Sequence, residues 1–189
     1  MPTDFHWVPA GKLGGDQATT RGFCLAETET SQRLWRGVMG WNRSYNQGDA
    51  LPVERVSWND CQEFIAKIQR FATEGYRFRL PNEDEWEYAC RAGTATRYAF
   101  GDAWNDAFAN NGGGTLPCGS YSFANAWGLK DMHGNGARIS AATTFSRTES
   151  SDVFCAEEDG AAGPLTAARL DEAICPPHGE PIISDFDCF

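Results

Sequence analysis

Seven cysteines, at positions 24, 61, 90, 118, 155, 175 and 188, are the residues of this chain best suited to nucleophilic or redox chemistry. The count is odd, and no two of them form a Cys-x-x-Cys pair. Free thiols in a reducing compartment fit this pattern better than a disulfide framework. His6, His133 and His178 stand near no cysteine pair, so the ligand spacing of a zinc site is absent. The run Glu83-Asp84-Glu85-Trp86-Glu87 offers carboxylates for acid–base work. It follows Pro81-Asn82, however, and acids in a first helical turn stabilise that end of the helix. A capped amphipathic helix accounts for the stretch, and these acids receive no catalytic role. Trp58, Trp86, Trp104 and Trp127 are read as core and loop anchors rather than as a ligand cage. The turn Asp131-Met132-His133-Gly134-Asn135-Gly136 is then the best candidate ligand loop. His133 within it is read as a surface or hydrogen-bonding residue.

Composition bounds what these residues can serve. Hydrophobic residues form 41% of 189, enough for a core of ordinary domain size. No apolar run reaches the roughly 20 residues of a membrane helix. The first residues, MPTDFHWVPAG, lack the basic head and apolar run of a leader, so a cytoplasmic location is expected. A net charge of -10 argues against a nucleic-acid partner, because phosphates call for Lys and Arg. The charge is uneven: from Gly136 onward stand ten acids against Arg138, Arg147 and Arg169. Every Trp lies at or before Trp127 and every Tyr at or before Tyr121. Two regions follow, a Trp-rich domain over 1–135 and a different segment over 136–189.

The elements that position the candidate residues can be read locally. Phe23 to Thr30 reads as a short strand entering a turn. Ser31 to Met39 has an N-cap serine and apolar Leu34, Trp35 and Val38 at helical spacing. Pro52 to Trp58 reads as extended. Asn59 is expected to cap a helix over Asp60 to Thr73 with Cys61, Phe64, Ile65 and Ile68 on one face. Phe78 to Leu80 is short and extended, and Glu83 to Ala92 forms a third helix that Gly93 ends. Thr94 to Asn135 is loop-like, and long loops in a compact domain usually carry function. Few strands, two or three helices and Trp-pinned loops give an α+β class.

Several runs are specific in combination: Glu27-Thr28-Glu29-Thr30-Ser31-Gln32, Val38-Met39-Gly40, Pro52 to Trp58, Arg79-Leu80-Pro81-Asn82-Glu83-Asp84-Glu85-Trp86-Glu87-Tyr88-Ala89, Arg91-Ala92-Gly93-Thr94, Tyr98-Ala99-Phe100-Gly101-Asp102 and Asn125 to Asn135. In order and spacing they resemble the formylglycine-generating enzyme family, also called the sulfatase-modifying factor domain, over about residues 20 to 135. The resemblance implies a C-type-lectin-like fold with little regular secondary structure. It also implies a family that includes copper-using cysteine oxidases, iron-dependent sulfur-transfer enzymes and proteins that only display a binding surface. Fold therefore leaves function open.

The resemblance stops after Gly134-Asn135. The family continues with a Trp-Glu-Trp-like run, an Arg-Gly-Gly-Ser-Trp-type strand, an Arg-Ser-Ala-x-Arg-type strand and a closing Gly-Phe-Arg, none of which is present. Shifting the reading frame restores three of them in order. From Asp152 the codons permit Arg-Val-Leu-Arg-Gly-Gly-Gly-Trp, from Thr166 Cys-Arg-Ser-Ala-x-Arg, and from Ser184 to Cys188 Gly-Phe-Arg-Leu. The segment from about Gly136 is accordingly read as frameshifted and poorly ordered, with the C-terminal strands missing. Chance and true divergence are the alternatives.

The oxidase's paired cysteines belong to those missing strands, so no catalytic and no organic cofactor-binding residue is assigned. Copper or iron is expected only if the chain acts as the family enzymes do. The resemblance assigns calcium ligands instead: the Asp131 side chain and the carbonyls of Gly134 and Gly136, with Asn110 resembling a ligand of a second site. Hard oxygen donors from a tight turn suit that ion. A hydrogen-bonded structural turn is the competing reading. For the whole chain three readings stand: a domain of the family without activity as it is, an active oxidoreductase of the family, and a binding or display module. The expected partner is a protein, peptide or small thiol ligand, with neither nucleic acid nor membrane.

Overall fold

In the computed structural model the described residues are 5–13, 19–72, 76–135 and 144–147. A four-stranded antiparallel sheet has the order β1 (Phe5–Val8), β4 (Phe23–Ala26), β6 (Thr144–Arg147), β5 (Tyr76–Arg79). A small ribbon pairs β2 (Gly11–Lys12) with β3 (Thr19–Thr20). Successive strand side chains point to opposite faces, and β4 uses this to serve two cores. Cys24 joins the core beneath the first two helices, while Phe23 and Leu25 join a second core with Val8, Ala89 and Leu129.

Helix α1 (Gln32–Met39) starts where the Ser31 side chain accepts from the Leu34 N–H, and ends at Gly40 with φ 77°. Glycine suits that left-handed closing position. Leu34, Trp35, Val38 and Met39 are buried, as their spacing requires. Helix α2 (Trp58–Ile68) buries Cys61, Phe64, Ile65 and Ile68, the face expected of it. Its start lies earlier than Asn59: Ser57 is the cap, locked in a reciprocal box with Asp60. It passes at Gln69 into a single 3-10 turn over Gln69–Phe71. The Trp35 and Phe64 rings stack at 5.0 Å and 5°, joining α1 to α2.

Helix α3 (Glu83–Arg91) is capped by Asn82, with Glu85 returning the bond to the Asn82 N–H. Glu85 also holds Arg79 of β5 through two bonds of 2.6 and 2.7 Å. The acids there act structurally. The left-handed stop is Ala92, at φ 46°, one residue before Gly93. From Thr94 to Asn135 there is neither helix nor strand, only turns and one isolated bridge, Tyr98 to Gly101.

One aromatic reading is corrected. Trp58 is 63% exposed and anchors no core: it is the first residue of α2, two turns ahead of the buried Ile65 on the same side of the helix. Trp86 and Trp127 do pack against the second core. The expectation of a poorly ordered segment over 136–189 falls outside the described residues, apart from β6, which lies between β4 and β5.

Candidate functional site

Asp131 enters its loop at φ 54°, followed by Gly134 at φ 100° and Asn135 at φ 67°. Left-handed backbone at non-glycine residues is uncommon and clusters where local bonding enforces it. Here the enforcing bonds converge on Asn135, which is buried. Its N–H donates to the Asn110 carbonyl at 3.1 Å. Its side chain donates to the Leu116 carbonyl and to Glu29, and accepts from the Leu116 N–H at 2.8 Å. Gly134 is required for a second reason: a Cβ there would run into the Asn110 carbonyl.

The structure therefore brings Asn110 against Gly134 and Asn135, although the sequence suggested separate ligand sites. The Asn110 amide is already engaged: Nδ2 donates to the Gly114 carbonyl and Oδ1 accepts from the Gly112 N–H. Asn110 is thus spent on bonds to neighbouring backbone. Gly136 lies outside the described residues.

Asp131 has a different character. Its Oδ2 accepts from the Gly119 N–H at 2.6 Å, while its buried Oδ1 has no hydrogen-bond partner. Glu29, from the Glu-Thr-Glu-Thr-Ser-Gln run, is the neighbour that sequence reasoning missed. It is half-buried beside Asp131 and accepts from the Asn135 side chain at 3.2 Å. Burial, with the Asp131 charge beside it, pushes the Glu29 carboxyl up to about 8. Asp131 is raised as well, chiefly by burial, with the Gly119 N–H opposing. The two acids are therefore harder to ionise together than two separate carboxyls would be. Glu27, two residues earlier, behaves oppositely. Burial acts against its charge, yet Lys130 at 2.6 Å and His6 hold its carboxyl below the ordinary range.

His133 is pinned rather than free to ligate. Its Nε2 accepts from the Ala99 N–H at 3.0 Å, and its ring lies edge-on to Tyr98 and Phe100. The loop borders a cleft of about 480 Å³ lined in part by Asn46, Tyr98, Trp104, Asn110 and His133.

Among the described residues no two cysteines are paired with each other, and the Cys90 thiol lies 3.6 Å from His133 Nε2. Cys24, Cys61 and Cys90 are buried and Cys118 half-buried, all as free thiols. The Cys90 thiol donates to the Met132 carbonyl at 3.5 Å. Burial raises the Cys61 thiol, and burial with the Glu29 and Asp131 charges raises Cys118 far above the usual thiol range. Cys155, Cys175 and Cys188 lie outside the described residues. Among the described residues no group of three or more His, Cys, Asp or Glu could hold a metal ion.

Residues 3–145 match the sulfatase-modifying factor enzyme 1-like domain. The chain belongs to this family. The formylglycine-generating enzyme of Mycobacterium tuberculosis is 34% identical over 118 residues, covering 53% of this chain and 36% of that protein. The mouse protein named inactive C-alpha-formylglycine-generating enzyme 2 is 32% identical over 117 residues, covering 54% and 35%. The chain thus spans about a third of the length of these curated relatives. Among solved structures, Treponema denticola variable protein 1 superposes with a TM-score of 0.59 at 23% identity, covering 69% of each chain. CarF superposes at 0.56 and 21% identity, covering 69% of this chain and 77% of that one. These likenesses show the fold: mixed helix and strand with little regular structure, as the sulfatase-modifying factor resemblance implied. No described helix is long and apolar enough to cross a membrane.

Proposed function

We propose that this sulfatase-modifying-factor domain carries out no thiol oxidation as it stands and serves as a binding or display module. The observation carrying this reading is the setting of Cys118, the most open of the described cysteines. Burial of its thiol, reinforced by the nearby Glu29 and Asp131 carboxyls, suppresses the thiolate that oxidative chemistry requires. The other three are buried, and the His133 Nε2 that stands 3.6 Å from the Cys90 thiol is already taken by the Ala99 N–H. The partner class is a protein, peptide or small thiol ligand. Four free thiols among the described residues support a reducing, cytoplasmic setting. The family match stops at residue 145, shortly past the expected change at about Gly136, which supports a shifted reading frame near that point. Sequencing the coding DNA across codons 130 to 155 tests that.

The activity test is incubation of the chain and copper with a sulfatase-type cysteine peptide, followed by mass spectrometry. An unchanged peptide is expected. Conversion of its cysteine to formylglycine would establish the competing oxidoreductase reading, with Cys155, Cys175 or Cys188 as the thiols to test.

Calcium belongs to the same proposal as a structural ligand. The unpartnered Asp131 Oδ1, the Glu29 carboxyl and the Gly134 carbonyl are hard oxygen donors of the right kind. The spent Asn110 amide adds nothing, so the cage is poor and binding weak.

A further inference from the structure

In the stretch from Trp41 to Asp60 every acid is already engaged, Asp49 by Arg36 and Glu54 and Asp60 by local donors, while Arg43 and Arg55 lie exposed. The Glu54 Oε1 accepts from the N–H and the Nδ2 of Asn46, at 2.8 and 3.1 Å. The Asp60 Oδ2 accepts from the Ser57 N–H and hydroxyl, at 2.7 and 2.6 Å. Ser44, buried, stitches the two arms by bonding the Glu54 backbone. What remains outside is Arg43 over the Trp41 ring at 4.3 Å and Arg55 over the Tyr45 ring at 5.0 Å. Tyr45 is 72% exposed and Trp58 63%. Neither guanidinium has an ion pair among the described residues, although Arg43 lies within electrostatic range of Asp60. Arg55 is held at φ 57°, a conformation an arginine adopts only under constraint. Tyr, Trp and Arg together are the residue types that dominate binding surfaces.

The charge that complements this face is in the same chain. Between 148 and 189 stand ten acids and a single base, Arg169, so almost all of the net -10 lies there. The last ten residues, Glu180-Pro181-Ile182-Ile183-Ser184-Asp185-Phe186-Asp187-Cys188-Phe189, interleave carboxylates with apolar side chains. We infer that the Arg43–Tyr45–Arg55–Trp58 face is a docking surface for Glu180 to Phe189, with carboxylates on the guanidiniums and Ile or Phe side chains on the rings. Reach is not limiting: the chain from Arg147 to Glu180 can span up to roughly 100 Å, well beyond the ~30 Å of a small domain. Covalent connection sets an effective concentration on the order of millimolar, so a weak contact suffices.

The test uses the full chain with Trp58→p-benzoylphenylalanine, irradiated and digested, with Tyr45→p-benzoylphenylalanine as a second probe should the first fail to fold. The expected result is a crosslink within one molecule to the peptide holding Glu180 to Phe189, independent of protein concentration. Its yield should fall about fivefold in R43E/R55E and in D185N/D187N, and fall again at 1 M salt. A crosslink between two molecules, a crosslink to another segment, no crosslink from either probe, or a yield unchanged in R43E/R55E would each overturn the inference.

Discussion

The Nε2 of Gln32 donates to the carbonyl oxygen of Asn46 at 2.7 Å, inside the protein and 14 residues away in sequence. The same side chain donates to the Pro52 carbonyl and accepts from the Asn42 amide and the Gly48 N–H. Gln32 is 0% exposed, so one glutamine at the start of α1 replaces water for the whole 42–52 loop. Gln32→Leu keeps the volume and removes every bond, leaving the Asn46 and Pro52 carbonyls and the Gly48 N–H without this partner. Unsatisfied buried groups cost about 1–3 kcal/mol each and do not simply add. A loss of about 2–4 kcal/mol in urea unfolding is expected, and Gln32→Leu unfolding at the wild-type midpoint would contradict it.

Stability should depend on pH through Glu29. Its carboxyl titrates at about 8 in the folded chain against an ordinary 4.5. The folded state therefore holds a proton that the unfolded state has released across that window. This contribution is fully present below about 4.5 and is lost as pH rises through 8. Glu29→Gln cannot titrate, so its midpoint should fall less between pH 5 and 8, and at pH 8 it should exceed the wild type. Parallel pH profiles for the two proteins would refute this.

Calcium binding at the Asp131 loop should displace the proton that Glu29 retains below about 8. Affinity should be weak, with Kd on the order of millimolar, and should tighten as pH rises from 5 to 8. Asp131→Ala should abolish it. Calorimetry in two buffers of different ionisation enthalpy measures both the affinity and the proton released. Tight binding that survives Asp131→Ala would place the ion elsewhere.

Phe64 tests whether the two helices share one core. Removing its ring leaves a cavity against Trp35, whose ring stacks on it at 5.0 Å. Phe64→Ala should lose about 3–5 kcal/mol, with a shift in tryptophan fluorescence. Phe64→Leu should recover much of the stability. A change below 1 kcal/mol in Phe64→Ala would mean that this core is not formed.

Some of this protein is written in short runs of sequence and could be read there. Ser31 before Leu34, Pro81-Asn82 before Glu85, and the spacing of Cys61, Phe64, Ile65 and Ile68 act within one or two helical turns. Such interactions link neighbours in the chain, so residue order states them directly. Even there a one-residue ambiguity survived, since Ser57 and Asn59 are both good caps and only the bond from Ser57 to Asp60 chose between them. The family was legible for a related reason: its runs keep order and spacing. The Glu29–Asp131 pair was not. Its partner Asn135 lies 106 residues from Glu29, and nothing local distinguishes Glu29 from Glu27. The fold buries one against an acid and sets the other beside Lys130, so that identical side chains titrate in opposite directions. Trp58 shows the same limit: a tryptophan at a helix start carries no mark of whether the chain will cover it. Residue type states what a side chain can do; burial and long-range neighbours, which only tertiary structure sets, decide which of those things it does.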